Sequence, residues 1–399
     1  MMQHDYDILI AGGGLAGNCL ALALQDSGLK IAIIEAQTPQ QLQHSPAGDR
    51  ALALAAGTVN MLETLNIWQG IETATAIKQI HISDRGHFGK TRLSAKQQGV
   101  SALGYVISAR DIETHVANRV EQAGIPRFCP ARVVGLMAGN NAIHVSLKQN
   151  QHPINLSAAL LVGADGGNSS VRKLLEIPQQ VTDYGQTALV TTVHSAKPHA
   201  NTAYERFTES GPLALLPMQN NHLSVVWTRQ HDDADALMAG GEADFLAQLQ
   251  DCFGYKLGLL KLSSPRRAFP LTLIRAERMI DNRVILIGNA VHQLHPVAGQ
   301  GFNLGLRDVV QLAELLHSQP DPGAPEVLQH YAALRQTDHD KTISFTDTTV
   351  KIFSNRWLAL AAVRNAGLTV LDHLPFAKKQ LARHAMGMAG RLPRIGSKR

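Results

Sequence analysis

No acidic residue follows Asp372 in this 399-residue sequence, yet Lys378, Lys379, Arg383, Arg391, Arg394, Lys398 and Arg399 all lie beyond it. The formal charge of +5 therefore resides in the last 27 residues, and the preceding body, with 30 Lys and Arg against 32 Asp and Glu, stands at −2. A basic body suited to nucleic acid is excluded. Cysteine is scarce as well. Cys19, Cys129 and Cys252 make no CxxC pair and no Cys/His spacing suited to zinc. Neither a disulfide framework nor a metal site is expected, and a reducing, cytoplasmic setting fits. Long apolar runs are also missing: the best stretch, Leu358–Val370, carries Arg364 and Asn365, too polar for the roughly 18 apolar residues of a membrane span. The opening MMQHDYDILIAGGG has no basic segment ahead of an unbroken apolar one, so it does not read as a secretory signal. There is no internal repeat and no low-complexity linker.

What is present is globular: 45% apolar and 17% charged residues, with length enough for two or three domains. Residues 5–11 read as a buried strand, 15–27 as a helix and 30–35 as a second strand. Between the first strand and the helix stands Gly12-Gly13-Gly14-Leu15-Ala16-Gly17, and Glu35 follows Gly17 by 18 residues. Gly12, Gly14 and Gly17 allow a tight turn, backbone approach to a pyrophosphate and close helix packing, while Glu35 can accept from a ribose hydroxyl. NAD and FAD both remain open at this point. Ser108 and Asp111 suggest a capping box for a helix to Gln122. Several short strands with one helix, near 243–252, fill 186–273, as in a separately built antiparallel layer. Two more motifs carry glycine at strand ends: Leu161–Arg172, containing Asp165 and Gly166, and Arg283–Asp308, containing Gly288, Asn289, His292, His295, Pro296 and the Gly299–Asn303 helix start.

In this order the three motifs resemble the class A FAD-dependent aromatic hydroxylases, which share the para-hydroxybenzoate hydroxylase fold, from residue 7 to about residue 367. Gly48–Leu54, Ile82–His87, Glu205–Thr208, Gly211–Met218 and Asn355–Trp357 make the sequence most similar to the ubiquinone-biosynthesis hydroxylases within that family. The resemblance implies a mixed α/β fold. A Rossmann-like FAD-binding domain would take 1–76, 100–182 and 275–345, an interleaved antiparallel substrate sheet 77–99 and 183–274, and a C-terminal helical extension with the basic tail 346–399. It further implies FAD, NADPH or NADH as a transient donor, O2, and hydroxylation of the ring of a polyprenylated methoxyphenol, with a ubiquinone biosynthetic complex as partner. A flavin-dependent isoprenoid reductase of the same fold and a non-catalytic flavin-binding member of that complex are the alternatives.

Residue by residue, the resemblance puts Gly12, Gly14 and Gly17 at the pyrophosphate, Glu35 at the ribose and Arg50 near the pyrophosphate as a fixed cation. Arg110 falls near the ribityl chain and phosphates, and Asp165 and Gly166 beside the pyrophosphate, with Arg172 supporting that loop and facing the nicotinamide donor. Gly288 and Asn289 form the third motif, where Asn replaces the usual Asp, keeping an acceptor and losing a charge. Gly299, Gln300, Gly301, Phe302 and Asn303 would line the flavin ring, and Pro296 would shape the loop over it. His292 and His295 are two of 18 histidines; a structural role is the ordinary expectation for each, and His295 is the one considered for proton transfer. Leu215, Pro217 and Trp227 are a candidate pocket wall, with plain core strands as the competing reading. The tail, pairing its cations with Leu374, Phe376, Leu381, Met386, Met388, Leu392 and Ile395, is expected to touch anionic lipid peripherally, at the inner membrane, with a solvated tail that packs on nothing as the competing reading.

Overall fold

Apolar runs without alternation need cover on both faces, and the strands that carry them here form the centre of a parallel sheet. The computed structural model describes residues 4–294, 299–353, 365, 367, 369–370 and 372–388. In it, strand Tyr6–Ala11 pairs in parallel with Ile31–Ile34 on one side, aligning Ala11 with Ile34, and with His152–Gly163 on the other, aligning Ala11 with Gly163. Val284–Leu286 continues the sheet, aligning Leu286 with Gly163. Arg127–Phe128 extends the opposite side. Helix Leu15–Ala23 lies against this sheet in contact with helices Ala109–Gln122 and Gln300–Leu316. These three helices form one layer over the sheet.

Ser108 precedes helix Ala109–Gln122 as expected, but its side chain makes no capping bond. The capping box read from Ser108 and Asp111 is not formed, because strand pairing fixes the helix start instead: Ser108 ends strand Gly104–Ser108 opposite Ala51, and the Ala109 N–H donates to the Arg50 carbonyl at 2.8 Å. The small sheet to which these strands belong, Ala51–Ala55, Gly104–Ser108 and Thr75–Ile77, has no strong β pattern in sequence. Helix His231–Ala239 stands ahead of the expected one, which spans Glu242–Phe253.

The second large sheet runs through Arg267–Ala276, Gln179–Ser195, His222–Gln230, Gly211–Pro217, Thr202–Thr208, Gln79–Asp84 and the edge strand Lys90–Ser94. It is antiparallel except where Gln79–Asp84 meets Thr202–Thr208 in parallel. A long excursion through the first sheet separates those two strands in sequence and lets them run the same way. One face, with Leu189, Leu213, Leu215, Val225 and Trp227, packs under helices 231–239 and 242–253 against Phe245, Leu249 and Phe253. The opposite face carries Ala188, Val190, Val226, Phe269 and Leu271. The wall expected from Leu215, Pro217 and Trp227 is therefore corrected: Leu215 and Trp227 are fully buried core, and Pro217 shares their face by alternation.

Helix Pro325–Phe353 follows the main body, and helix Pro375–Ala385 folds back onto it. Ala382 and Met386 are buried with Leu93 and Val106, and the Met386 carbonyl accepts from Gly57 N at 2.8 Å. The first part of the basic tail is thus docked rather than free; Arg391, Leu392, Arg394, Ile395, Lys398 and Arg399 lie outside the described residues, as do Asn355–Trp357. No helix among the described residues is long and apolar enough to cross a membrane. Because Trp227 is core, Trp227→Ala is expected to lower unfolding free energy by about 3–5 kcal/mol in chemical denaturation.

Candidate active site

Four strand ends meet in one crevice. Ala11, Ile34, Gly163 and Leu286 stand side by side at the C-terminal ends of adjacent parallel strands, so Gly12, Glu35, Ala164–Asp165 and Gly288 emerge together, where open α/β sheets bind ligands. Gly12 has φ +107°, and a Cβ there would run into the Ala164 backbone; at Gly17 it would strike the Gly12 carbonyl. Gly14 differs. A Cβ there would meet nothing within 4 Å, which leaves room for a group resting on the helix start. No side chain caps that helix and no acid stands in its first turn, so its N–H groups and positive dipole end remain available.

Glu35 is buried and folded onto the turn: Oε2 accepts from Gly13 N and Oε1 from Gln37 N, each at 2.7 Å. Each oxygen keeps a lone pair for a further donor. Arg127, absent from the sequence reading, closes this end of the crevice. Its Nη2 donates to the Gly13 carbonyl at 3.2 Å, and its buried Nε has no hydrogen-bond partner among the described residues. Its signal in sequence was weak, since a two-residue strand gives no pattern.

The second motif folds on itself. Asp165 accepts from Ser169 Oγ, Ser170 N and Val171 N, and Gly166 adopts φ +81°. Arg172 is only 2% exposed, donating from Nη1 to the Ala290 carbonyl at 2.8 Å and from Nη2 to the Gly167 carbonyl at 2.7 Å. It ties the second motif to the third. Asn289, between Gly288 and Ala290 on a single 3-10 turn, is exposed.

The third motif places a second uncapped helix start at Gly299, φ +61°, where an added Cβ would lie 3.1 Å from Ala53 Cβ. Asn303 pins this start to the small sheet: its Oδ1 accepts from Ala55 N and Thr58 Oγ1, and its Nδ2 donates to the Ala53 and Gly299 carbonyls. Gln300 is buried and Phe302 packs on the main core, while a Cβ at Gly301 would meet no described residue within 4 Å. His295 and Pro296 lie outside the described residues. Across the crevice, Asp49 accepts from Arg110 at 2.6 Å and from Arg267 at 3.3 Å, and Arg50 lies over the Phe269 ring at 5.3 Å. Arg110 thus braces the turn before Arg50.

Behind the third motif sits a buried ionic hub that sequence reasoning missed. Asp308 Oδ2 accepts from Gly288 N at 3.2 Å and bonds His292 Nε2 at 3.0 Å; its Oδ1 takes Arg335 Nε and His339 Nε2, each at 2.7 Å. Burial alone raises this carboxyl, but His339, Arg335 and the histidine hydrogen bonds outweigh it and hold the group well below the usual range. The His292–Asp308–His339 arrangement has the residue types of a metal triad, yet the Arg335 guanidinium already supplies the cation on that carboxylate. His292 is therefore a support rather than a solvent-facing base. Tyr331, Arg335 and His339, spaced by four on one helix, were the legible signal.

One further carboxylate stands apart. Glu205 aligns with Ala214, Ala214 with Val226, Val226 with Val190 and Val190 with Arg267, so it shares the face opposite Trp227. Glu205 is half-buried, and no described residue pairs with it; burial raises its carboxyl to about 7. A cleft of about 380 Å³ beside Thr75, Asn201 and Met218 is lined by no residue of the three glycine motifs.

The chain matches the family model described as FAD binding domain over residues 5–346. It is 36% identical over 392 residues to ubiquinone hydroxylase UbiL of Rhodospirillum rubrum, covering 96% of this chain and 89% of that protein. To the 3-demethoxyubiquinol 3-hydroxylase of Escherichia coli it is 27% identical over 395 residues, covering 97% and 100%. Among solved structures, p-nitrophenol 4-monooxygenase PnpA from Pseudomonas putida has the same fold, with a TM-score of 0.80 at 18% identity over 98% of this chain and 100% of that one.

The hub sets a pH response. Burial pushes His292 below its ordinary pKa against the pull of Asp308, so below about pH 6.5 the unfolded chain takes up a proton that the folded one refuses, and stability falls with pH. His81, pushed down to about 4, acts in the same direction. Asp308 adds stability that is present above about pH 3.9 and is lost below it. In denaturation between about pH 5 and 6.5, His292→Asn is expected to reduce the slope, by at most about 1.4 kcal/mol per pH unit. Asp308→Asn is expected to cost about 3–5 kcal/mol at pH 7, because Arg335 stays buried without its counter-charge.

Proposed function

The chain belongs to the FAD binding domain family, and on that premise we propose that it is an FAD-dependent monooxygenase hydroxylating the ring of a polyprenylated phenol in ubiquinone biosynthesis. The observation that carries the reading is the crevice itself. Two uncapped helix starts converge there, and Gly14 and Gly301 leave open the places a Cβ would fill. These residues fit a flavin dinucleotide. The Gly12–Gly17 turn would hold the pyrophosphate on its N–H groups, Glu35 the ribose, and Arg50 a phosphate from across the crevice. Asn289 would accept from a ribityl hydroxyl, and the Gly299–Asn303 start would face the ring edge that gains electron density on reduction.

When bound, FAD supplies electron transfer from NADH or NADPH and activation of O2. The chain's own contribution is position, proton handling and exclusion of water. Asn303 and Asp308 fix the ring-facing turn from two sides, and the Val190, Val226 and Phe269 face offers the substrate an apolar wall. Glu205 stands on that face as an acceptor for the phenol hydroxyl, and its raised pKa suits proton uptake near neutrality. Electron-rich phenolate is the better acceptor of an oxygen atom.

Gly14→Val is expected to purify without flavin absorbance while remaining folded by circular dichroism. With bound FAD, NAD(P)H and polyprenylphenols, mass spectrometry is expected to detect one atom from isotopically labelled O2 in the product; reduced product without label would place the enzyme among isoprenoid reductases instead. In the pH profile of hydroxylation, a limb rising through about pH 7 is expected for the native enzyme and is expected to vanish in Glu205→Gln.

A further inference from the structure

The turn between strands Gln79–Asp84 and Lys90–Ser94 projects Phe88, whose side chain is 78% exposed. The neighbouring C-terminal segment is stitched to this hairpin: Asn365 Oδ1 accepts from Gly89 N at 2.7 Å, and Asp372 Oδ1 accepts from Arg92 N at 3.1 Å and pairs with Lys378 at 2.7 Å. Those bonds hold Val370, Leu374 and Phe376 beside the same sheet edge, and Phe376 is 76% exposed. Lys90, Arg92, Lys256 and Lys379 are exposed, the first two on the hairpin's own edge strand and Lys379 three residues after Phe376 on the C-terminal helix.

The charge there is one-sided. Arg92 stands opposite His81, and Lys90 opposite Ser83, across the strand pair. Lys256 Nζ donates to His81 Nδ1 at 3.0 Å and lies 5.0 Å from the Tyr204 ring. Burial, then the charges of Lys256, Arg92, Lys90 and Arg206, drive the His81 imidazole down to about 4, as an uncompensated positive field does. The nearby acids are occupied, Asp251 by Arg85 and Asp372 by Lys378.

We propose that this face, made of the Phe88 turn, the Lys90–Ser94 edge and the first turn of helix Pro375–Ala385, docks onto an anionic lipid bilayer. Isolated, highly exposed aromatic and aliphatic side chains ringed by Lys and Arg match the apolar boundary and the anionic headgroups of such a surface together. Asp372 accepts from the Arg92 amide at the sheet edge, which disfavours strand addition by a protein partner. The docking stands independently of the reaction assigned above.

The test uses the FAD-loaded full chain in flotation with neutral phosphatidylcholine vesicles and with vesicles containing phosphatidylglycerol. Tighter binding to the anionic vesicles, weakening with salt, is expected. Phe88→Ser with Phe376→Ser is expected to weaken binding to both vesicle types about tenfold or more. Lys90→Gln with Arg92→Gln is expected to abolish most of the anionic preference, about fivefold per residue, and leave neutral binding unchanged. Replacing Arg391, Arg394, Lys398 and Arg399 by Ser is expected to retain the aromatic dependence. Since every substituted side chain on the face is exposed, unchanged flavin content and thermal unfolding verify the fold. Unaltered flotation of both face variants would overturn the proposal. So would flotation lost only with the tail variant, or a chain that ignores vesicles but self-associates through Phe88.

Discussion

Asp308 is a carboxylate with no access to water, and four elements depend on it at once. It takes the Gly288 amide and His292 from the third motif, Arg335 and His339 from the following long helix, and it is itself part of the helix that starts at Gly299. Burying such a charge is costly unless every lone pair is occupied by a good donor. Here donors come from both sides, so the position of the ring-facing turn is coupled to the packing of the two helices behind it. Arg172 extends the same logic to the second motif by bonding the Ala290 and Gly167 carbonyls.

With the turns fixed, the rest of the crevice follows from strand alignment. Parallel strands that end in register place their loops in a single row, and the glycine positions in that row serve different needs. Gly12 and Gly17 are demanded by close backbone approach, whereas Gly14 and Gly301 have empty space around them. That contrast separates residues that build the site from residues that leave room in it.

The second sheet divides its labour between its faces. The face with Leu215 and Trp227 is core beneath two helices, and the face with Val190, Val226, Phe269 and Glu205 is the one bridged to the crevice by Arg267 and Asp49. Its far edge, with Lys90 and Arg92, meets the C-terminal helix, so the basic character that appears terminal in sequence is continued on a strand nearly 300 residues earlier.

The sequence by itself determined the opening strand-turn-helix-strand, the presence and order of the three glycine motifs, and the burial of the strands that precede them, because glycine spacing and apolar runs are local properties. It left Leu215 and Trp227 between two readings, since alternation says that a strand has two faces but not which one meets the other sheet. Arg127, Glu205 and Asp308 were likewise silent: a lone charged residue acquires its meaning from partners 16 or more positions away, or from having none among the described residues. The excess of tail cations was plain from composition. That part of the tail is packed against Leu93 and Val106, with Phe376 beside the hairpin of Phe88, was decided only by tertiary structure, because chain folding alone brings those distant segments to one edge.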